Sequence, residues 1–299
     1  MRFNRFLFGP ISALPLALLR IVCGALTLSW ALFLYSDVDP LLTHLRVEPI
    51  QDILWWQLLP DLPAGGVKVL CLALVAAGCL LMIGAWTSPA AWAAFLLTLG
   101  LQRYNPAAFN GGDFIMRGVL QLGVAFGPSG SYLSVDAWRR GDWIKPPPEI
   151  EAWPIRFIQL HISLGYLLTF YLKTRGHTWF GGTAVWYALN IEDLTRFNVP
   201  DVLIVPPLGA IFSWLAVTTE ALVGVGVWWQ RTRTLALIGG IGLHLGIALT
   251  LEVGFFSLIM ISSYLAFVPG STLELLLSRL RLTQGSGFLR AVEGGSVAP

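Results

Sequence analysis

The chain has 299 residues, of which 56% are hydrophobic and only 12% charged, with a mean hydropathy of +0.70. A water-facing domain carries about 25% charged residues, so half the charge needed to cover a soluble surface is missing and a soluble enzyme is excluded. The net charge of +2 is spread without a long basic run or an aromatic-interleaved basic patch, which argues against nucleic acid as a partner.

Arg2 and Arg5 precede an apolar stretch at 11–35 that has no small-residue cleavage pattern, so it reads as a first membrane anchor rather than a signal peptide. A membrane helix needs roughly 20 mostly apolar residues, and on that ruler further spans follow at 66–86, 88–102, 113–128, 154–172, 207–229, 234–251 and 255–269. The expectation is an all-α, polytopic transmembrane helical bundle of about eight spans, within a range of seven to nine, the third, fourth and eighth being short. One membrane domain is expected over 1–282, followed by a polar, disordered cytoplasmic tail at 283–299. Cys23, Cys71 and Cys79 lie inside apolar runs and read as small packing residues.

Lys and Arg are retained on the cytoplasmic side of a membrane. With the N-terminus inside, ten basic residues face the cytoplasm and six the other side, which favours N-in and C-in. The outer side then carries the long connections at 36–65 and 173–206, rich in Trp, Pro, Asp and Gly, and a site is expected to open there. Pro146, Pro147 and Pro148 form a stiff spacer on the inner side.

A charge at membrane depth costs at least about 2.5 kcal/mol and must be paired or face a wet cavity. Arg20, Asp113, Arg117, Arg156, Lys173, Glu220, His244 and Glu252 are such groups, with Gln121, Gln159 and His161 as neutral companions. Asp113 and Arg117 stand four apart and can pair on one helix face, closing the bundle. The Asn110, Gly111, Gly112 helix start before them offers free backbone N–H groups. Lys173 is one of only three lysines against sixteen arginines. It reads either as a snorkelling anchor or as a general base, since a buried lysine, unlike arginine, readily gives up its proton. His244, mid-span, reads as a satisfied core residue or as a proton relay. Glu252, eight residues on, would point the same way on a continuous helix, and Glu220 would neutralise Arg20 or Arg117. No metal is expected: the four histidines lie in different segments, and neither HExxH nor a paired-Cys spacing occurs.

Several of these residues together resemble a known pattern. Leu19, Arg20, Ile21 and Gly24 in the first span, Asn110, Asp113 and Arg117, and Ser134, Val135 and Asp136 after the fourth span are similar to the horizontally transferred transmembrane domain (HTTM) family. The most distinctive block is 159–187, where Tyr166, Lys173, Gly176, Trp179, Gly182 and Tyr187 stand as in that family; Arg233, His244, Phe256 and Tyr264 complete it. Residues 10–270 are covered.

That family resembles the membrane part of vitamin K-dependent γ-carboxylase. The resemblance implies an intramembrane cavity in which Lys173 is the quinol base and His244 a second catalytic group. Asn110, Asp113, Arg117, Gln159, Tyr166, Trp179 and Glu220 would be substrate- or cofactor-binding residues. A reduced naphthoquinone, with O2 and CO2 as co-substrates, would be the implied chemistry, acting at the extracytoplasmic face on a secreted peptide or lipid-soluble substrate. The alternative is a non-enzymatic maturation or assembly factor for a secreted peptide, of the kind serving sporulation-delaying-peptide toxins. Either reading places the chain in a bacterial inner membrane, its partners the bilayer and a small soluble or peptide partner; nothing matches the carboxylase's large lumenal domain, so glutamate carboxylation itself would require such a partner.

Overall fold

Backbone polar groups inside lipid must be satisfied within the chain, so each long apolar run winds into helix. The computed structural model describes residues 2–39, 62–102, 104, 109–142 and 146–279. In chain order these form α1 (Arg2–Phe8), β1 (Pro10–Ser12), α2 (Leu14–Ser36), α3 (Ala64–Ile83) and α4 (Thr87–Gln102). α5 is continuous through Gly111–Ile115, a π-helical turn Met116–Gln121 and Leu122–Phe126. Then come α6 (Val135–Arg139), β2 (Glu149–Glu151), α7 (Trp153–Thr174) and three short helices, α8 (His177–Phe180), α9 (Ala184–Leu189) and α10 (Asp201–Ile204). α11 (Leu208–Ala221) runs on through a second π turn, Leu222–Gly226, before α12 (Gln230–Thr250). α13 (Phe256–Ser263) ends in the tight turn Tyr264–Phe267, and a last helix, Gly270–Arg279, bends away by 103°.

Every expected span is helical. Five helices are long and apolar enough to cross a membrane, or six if the last bent pair counts as one span. The helices at 88–102, 113–128 and 255–269 are present but shorter than that measure requires. The tail at 283–299 and most of the 36–65 connection, with Trp55 and Trp56, lie outside the described residues.

α2 is the central helix: Leu14, Leu16, Leu19 and Cys23 are all but inaccessible. It packs on α3 at the closest approach glycine allows. A Cβ on Gly24 would lie 2.4 Å from the Met82 nitrogen, and one on Gly78 2.8 Å from that of Leu28. Gln121 donates to Thr27 Oγ1 and Thr98 Oγ1, at 3.0 Å each, tying α5 to α2 and α4.

Among the described residues the all-helical expectation gives way at one pair of strands. β1 and β2 pair antiparallel, Pro10 opposite Glu151 and Ser12 opposite Glu149. Both stretches adjoin prolines that resist helix, so their backbone groups find partners in each other. The pairing sets the starts of α2 and α7 side by side. At this same end Arg20, fully buried, donates to the carbonyls of Ser129 (3.3 Å) and Leu133 (2.5 Å). Asp136 accepts from Trp86 N, Thr87 N and Thr87 Oγ1, fixing the start of α4. A cavity of about 460 Å3 lies here, lined by Thr87, Ser129, Asp136 and Arg140 among others.

Candidate functional site

The opposite end of α7 gathers the polar groups of chemical interest. Lys173, in its last turn, donates from Nζ to Glu220 Oε1 on α11 in an ion pair. The side chains are 21% and 8% exposed. After Lys173 the chain turns through Gly176, whose N–H bonds the Lys173 carbonyl at 3.1 Å, and α8 folds back. This sets the ammonium 4.2 Å above the Trp179 ring, a cation–π contact. Glu220 therefore neutralises Lys173 rather than Arg20 or Arg117. The pairing partners are 47 residues apart, and only the packing of α11 on α7 brings them together.

Two turns below Lys173, the Tyr166 hydroxyl sits 2.5 Å from His244 Nε2 and 2.5 Å from the Tyr264 hydroxyl. All three side chains are buried, and they come from α7, α12 and the end of α13. Gly240 makes room for this contact: a Cβ there would lie 2.4 Å from the Tyr264 hydroxyl. The π turn of α11 does the same for its neighbour, since a Cβ on Gly224 would press within 2.9 Å of Leu167 on α7. Lys173 stands two turns along α7 from Tyr166, so the Lys173–Glu220 pair lies above this group. The five residues form one polar cluster, buried except for Lys173 at its half-buried rim. Two of its atoms, Glu220 Oε2 and His244 Nδ1, are buried without a hydrogen-bond partner, which in a low-dielectric interior is costly unless something else binds there.

The Asn110 helix start adjoins this cluster. Asn110 Oδ1 accepts from Gly112 N (2.8 Å) and Asp113 N (3.3 Å), while Asp113 Oδ2 accepts from Asn110 N (2.9 Å), a reciprocal capping box. Asn110 Nδ2 also donates to the Val253 carbonyl at 3.0 Å, joining α5 to the α12–α13 turn. Gly112 packs on Phe256, where a Cβ would come within 2.7 Å of Cα, and the Phe256 ring stands 5.2 Å from that of His244.

Other expectations change. Among the described residues Asp113 and Arg117 form no ion pair: Asp113 is spent on its own helix start, and Arg117 lies over the Phe114 ring at 5.3 Å. The π turn beginning at Met116 widens the spacing on which an i, i+4 pair depends. Gln159 belongs elsewhere; it accepts from Arg156 (2.7 Å) and donates to the Ala266 carbonyl (2.6 Å), some 21 Å down α7 from Lys173 at 1.5 Å per residue. Glu252 is exposed, beyond the end of α12, because the helix stops at Thr250. Tyr264 is the site residue that sequence reasoning leaves without a role. Its signal was a hydroxyl inside an otherwise apolar span, which must find a partner once buried.

The HTTM domain matches residues 8–271 of this sequence. The chain belongs to the HTTM domain family. With its long apolar helices, this HTTM domain is an integral membrane protein. No curated protein and no solved structure matches it. Within the HTTM domain, the residues expected from the family pattern at Tyr166, Lys173, Trp179, His244 and Tyr264 converge on the single cluster described above, whereas Arg20 stands at the far end of the bundle. Chemically, the cluster can hold and pass a proton. Tyr166 both accepts and donates, so a proton moved at His244 Nε2 is answered by one at the Tyr264 hydroxyl.

Proposed function

We propose that this HTTM domain is a bacterial inner-membrane enzyme of eight spans, N-in and C-in, which uses the Lys173–Glu220–His244 cluster at its outer face for proton transfer to a lipid-soluble substrate. The observation that carries this reading is the pair of orphaned buried atoms, Glu220 Oε2 and His244 Nδ1, within a cluster already linked for proton movement. A reduced naphthoquinone fits that donor set, because its hydroxyl groups would satisfy buried acceptors and its rings would meet aromatic side chains such as Phe256. Such a quinol, when bound, would supply reducing equivalents to O2, and CO2 would be the further co-substrate. Lys173 would take up the hydroxyl proton after passing its own to Glu220, and His244, Tyr166 and Tyr264 would carry the proton onward. A dry surrounding strengthens each of these contacts.

The second reading is a non-enzymatic maturation or assembly factor for a secreted peptide, working with a small partner. One observation favours it: Lys173 is neutralised by Glu220 and stacked on Trp179, as a structural anchor would be. Oxygen uptake by the purified protein with a reduced naphthoquinone separates the two. Quinol-dependent uptake that Lys173→Arg abolishes at normal membrane levels supports the enzyme, because arginine stays protonated. Full uptake in Lys173→Arg removes Lys173 as the base, and no uptake in the wild type leaves the assembly reading.

A further inference from the structure

The end of the bundle away from Lys173 holds a second, uncompensated charge cluster. Arg156 lies in the first turn of α7, and Arg231 and Arg233 in the first turn of α12. Cations at helix N-termini oppose the helix dipole, a placement that is unfavourable without an anion. Neither helix start has a side-chain cap. Arg156 and Arg233 are close enough for their like charges to act on each other. Both are half-buried and held in position: Arg156 Nε donates to the Phe6 carbonyl (3.2 Å) and Nη1 to Gln159 Oε1 (2.7 Å), with the guanidinium 4.4 Å over the Phe6 ring. Arg233 Nε donates to the Val227 carbonyl at 2.9 Å. Those bonds leave Arg156 Nη2 and both terminal nitrogens of Arg233 without a partner among the described residues.

Among the described residues no carboxylate lies within ion-pair distance of either. The nearby acids are otherwise placed: Glu274 accepts from Ser12, and Glu149 and Glu151 lie exposed on β2. The contrast with the other basic pair at this end is direct, since Arg139 has Asp136 at 3.9 Å and Arg140 has Asp142 at 3.4 Å. The site also lies at the starts of α7 and α12, two helices long and apolar enough to cross a membrane. α1 adjoins it as a short surface helix with Phe3 and Phe8 exposed, and Phe6 packs on Trp228 at 5.9 Å; arginines and exposed aromatics of this kind mark the membrane–water interface.

We infer that Arg156 and Arg233 form a binding site for the phosphate of an anionic phospholipid, seated between α1, α7 and the start of α12. The unpaired guanidinium nitrogens supply the hydrogen bonds, and the headgroup charge relieves the mutual repulsion of the two arginines.

Native mass spectrometry of the full chain in detergent, titrated with phosphatidylglycerol or phosphatidylcholine, tests this. The wild type should retain phosphatidylglycerol at one equivalent with a preference of about tenfold or more, and Arg156→Gln/Arg233→Gln should abolish that preference. Arg156→Lys/Arg233→Lys should restore part of it, and Arg139→Gln/Arg140→Gln should leave it intact. Should the glutamine pair fail to fold, the wild type still decides: its preference should fall on raising the salt and survive 10 mM inorganic phosphate. Absence of any headgroup preference in the wild type, or its persistence in a folded glutamine pair, would overturn the inference. Displacement of the lipid by millimolar inorganic phosphate would overturn it too, by assigning the site to a soluble anion.

Discussion

Lys173 and Glu220 are the residues whose removal has the plainest energetic signature. An ion pair taken out of water is stable only while both charges are present, and deleting one partner typically costs about 3–5 kcal/mol because the other is stranded. Lys173→Met should therefore lower the melting midpoint of the protein in detergent sharply, by an amount equivalent to about 3 kcal/mol. Lys173→Met/Glu220→Gln should lose less than the two single variants summed, as expected of groups in direct contact. Strict additivity would mean that the pair contributes nothing. The individual residues were legible from sequence because a charge inside an apolar run announces itself. Their partners were not. Periodicity speaks only of neighbours on one helix, and so it offered Arg117 to Asp113 and Glu252 to His244, whereas the real contacts of Lys173, Asn110 and Gln121 cross between elements.

At the scale of elements, the α2–α3 contact is the tightest joint in the bundle. In a bilayer, helices gain little from burying apolar surface against one another, and close backbone approach at small residues supplies the attraction instead. Gly78→Leu would drive a side chain into the backbone of α2 at Leu28. The expected loss is about 1–3 kcal/mol of stability, read as a lower melting midpoint in detergent, while Gly65→Leu, with open space around its Cβ, should leave the midpoint within experimental error. The helices themselves were readable as runs of apolar residues. Their interruptions were not: the two π turns and the β1–β2 pairing depend on what each segment packs against, which no local pattern encodes.

For the whole molecule, orientation is the property on which the proposed outer site rests. α7 separates β2 from α9, so Glu149 and Asn190, both exposed, lie at opposite ends of it. In intact cells an impermeant thiol reagent should label Asn190→Cys and reach Glu149→Cys only after permeabilisation, in a background with the native cysteines replaced. The reverse pattern would turn the Lys173 cluster toward the cytoplasm. The same long-range view gives the π turn of α5 its meaning. This helix is moored at its start, by Asn110 to Val253, and at the end of the π turn, by Gln121 to Thr27 and Thr98. The wide loop of backbone between the moorings works as a phase adjuster, taking up one residue that a regular coil would have to place elsewhere. A chain shortened by a single residue there would wind as a regular helix with both anchorages still in phase, whereas a second deletion would rotate everything beyond it by about 100°. One of the two anchorages would then face lipid, so the turn holds a reserve of one residue and no more.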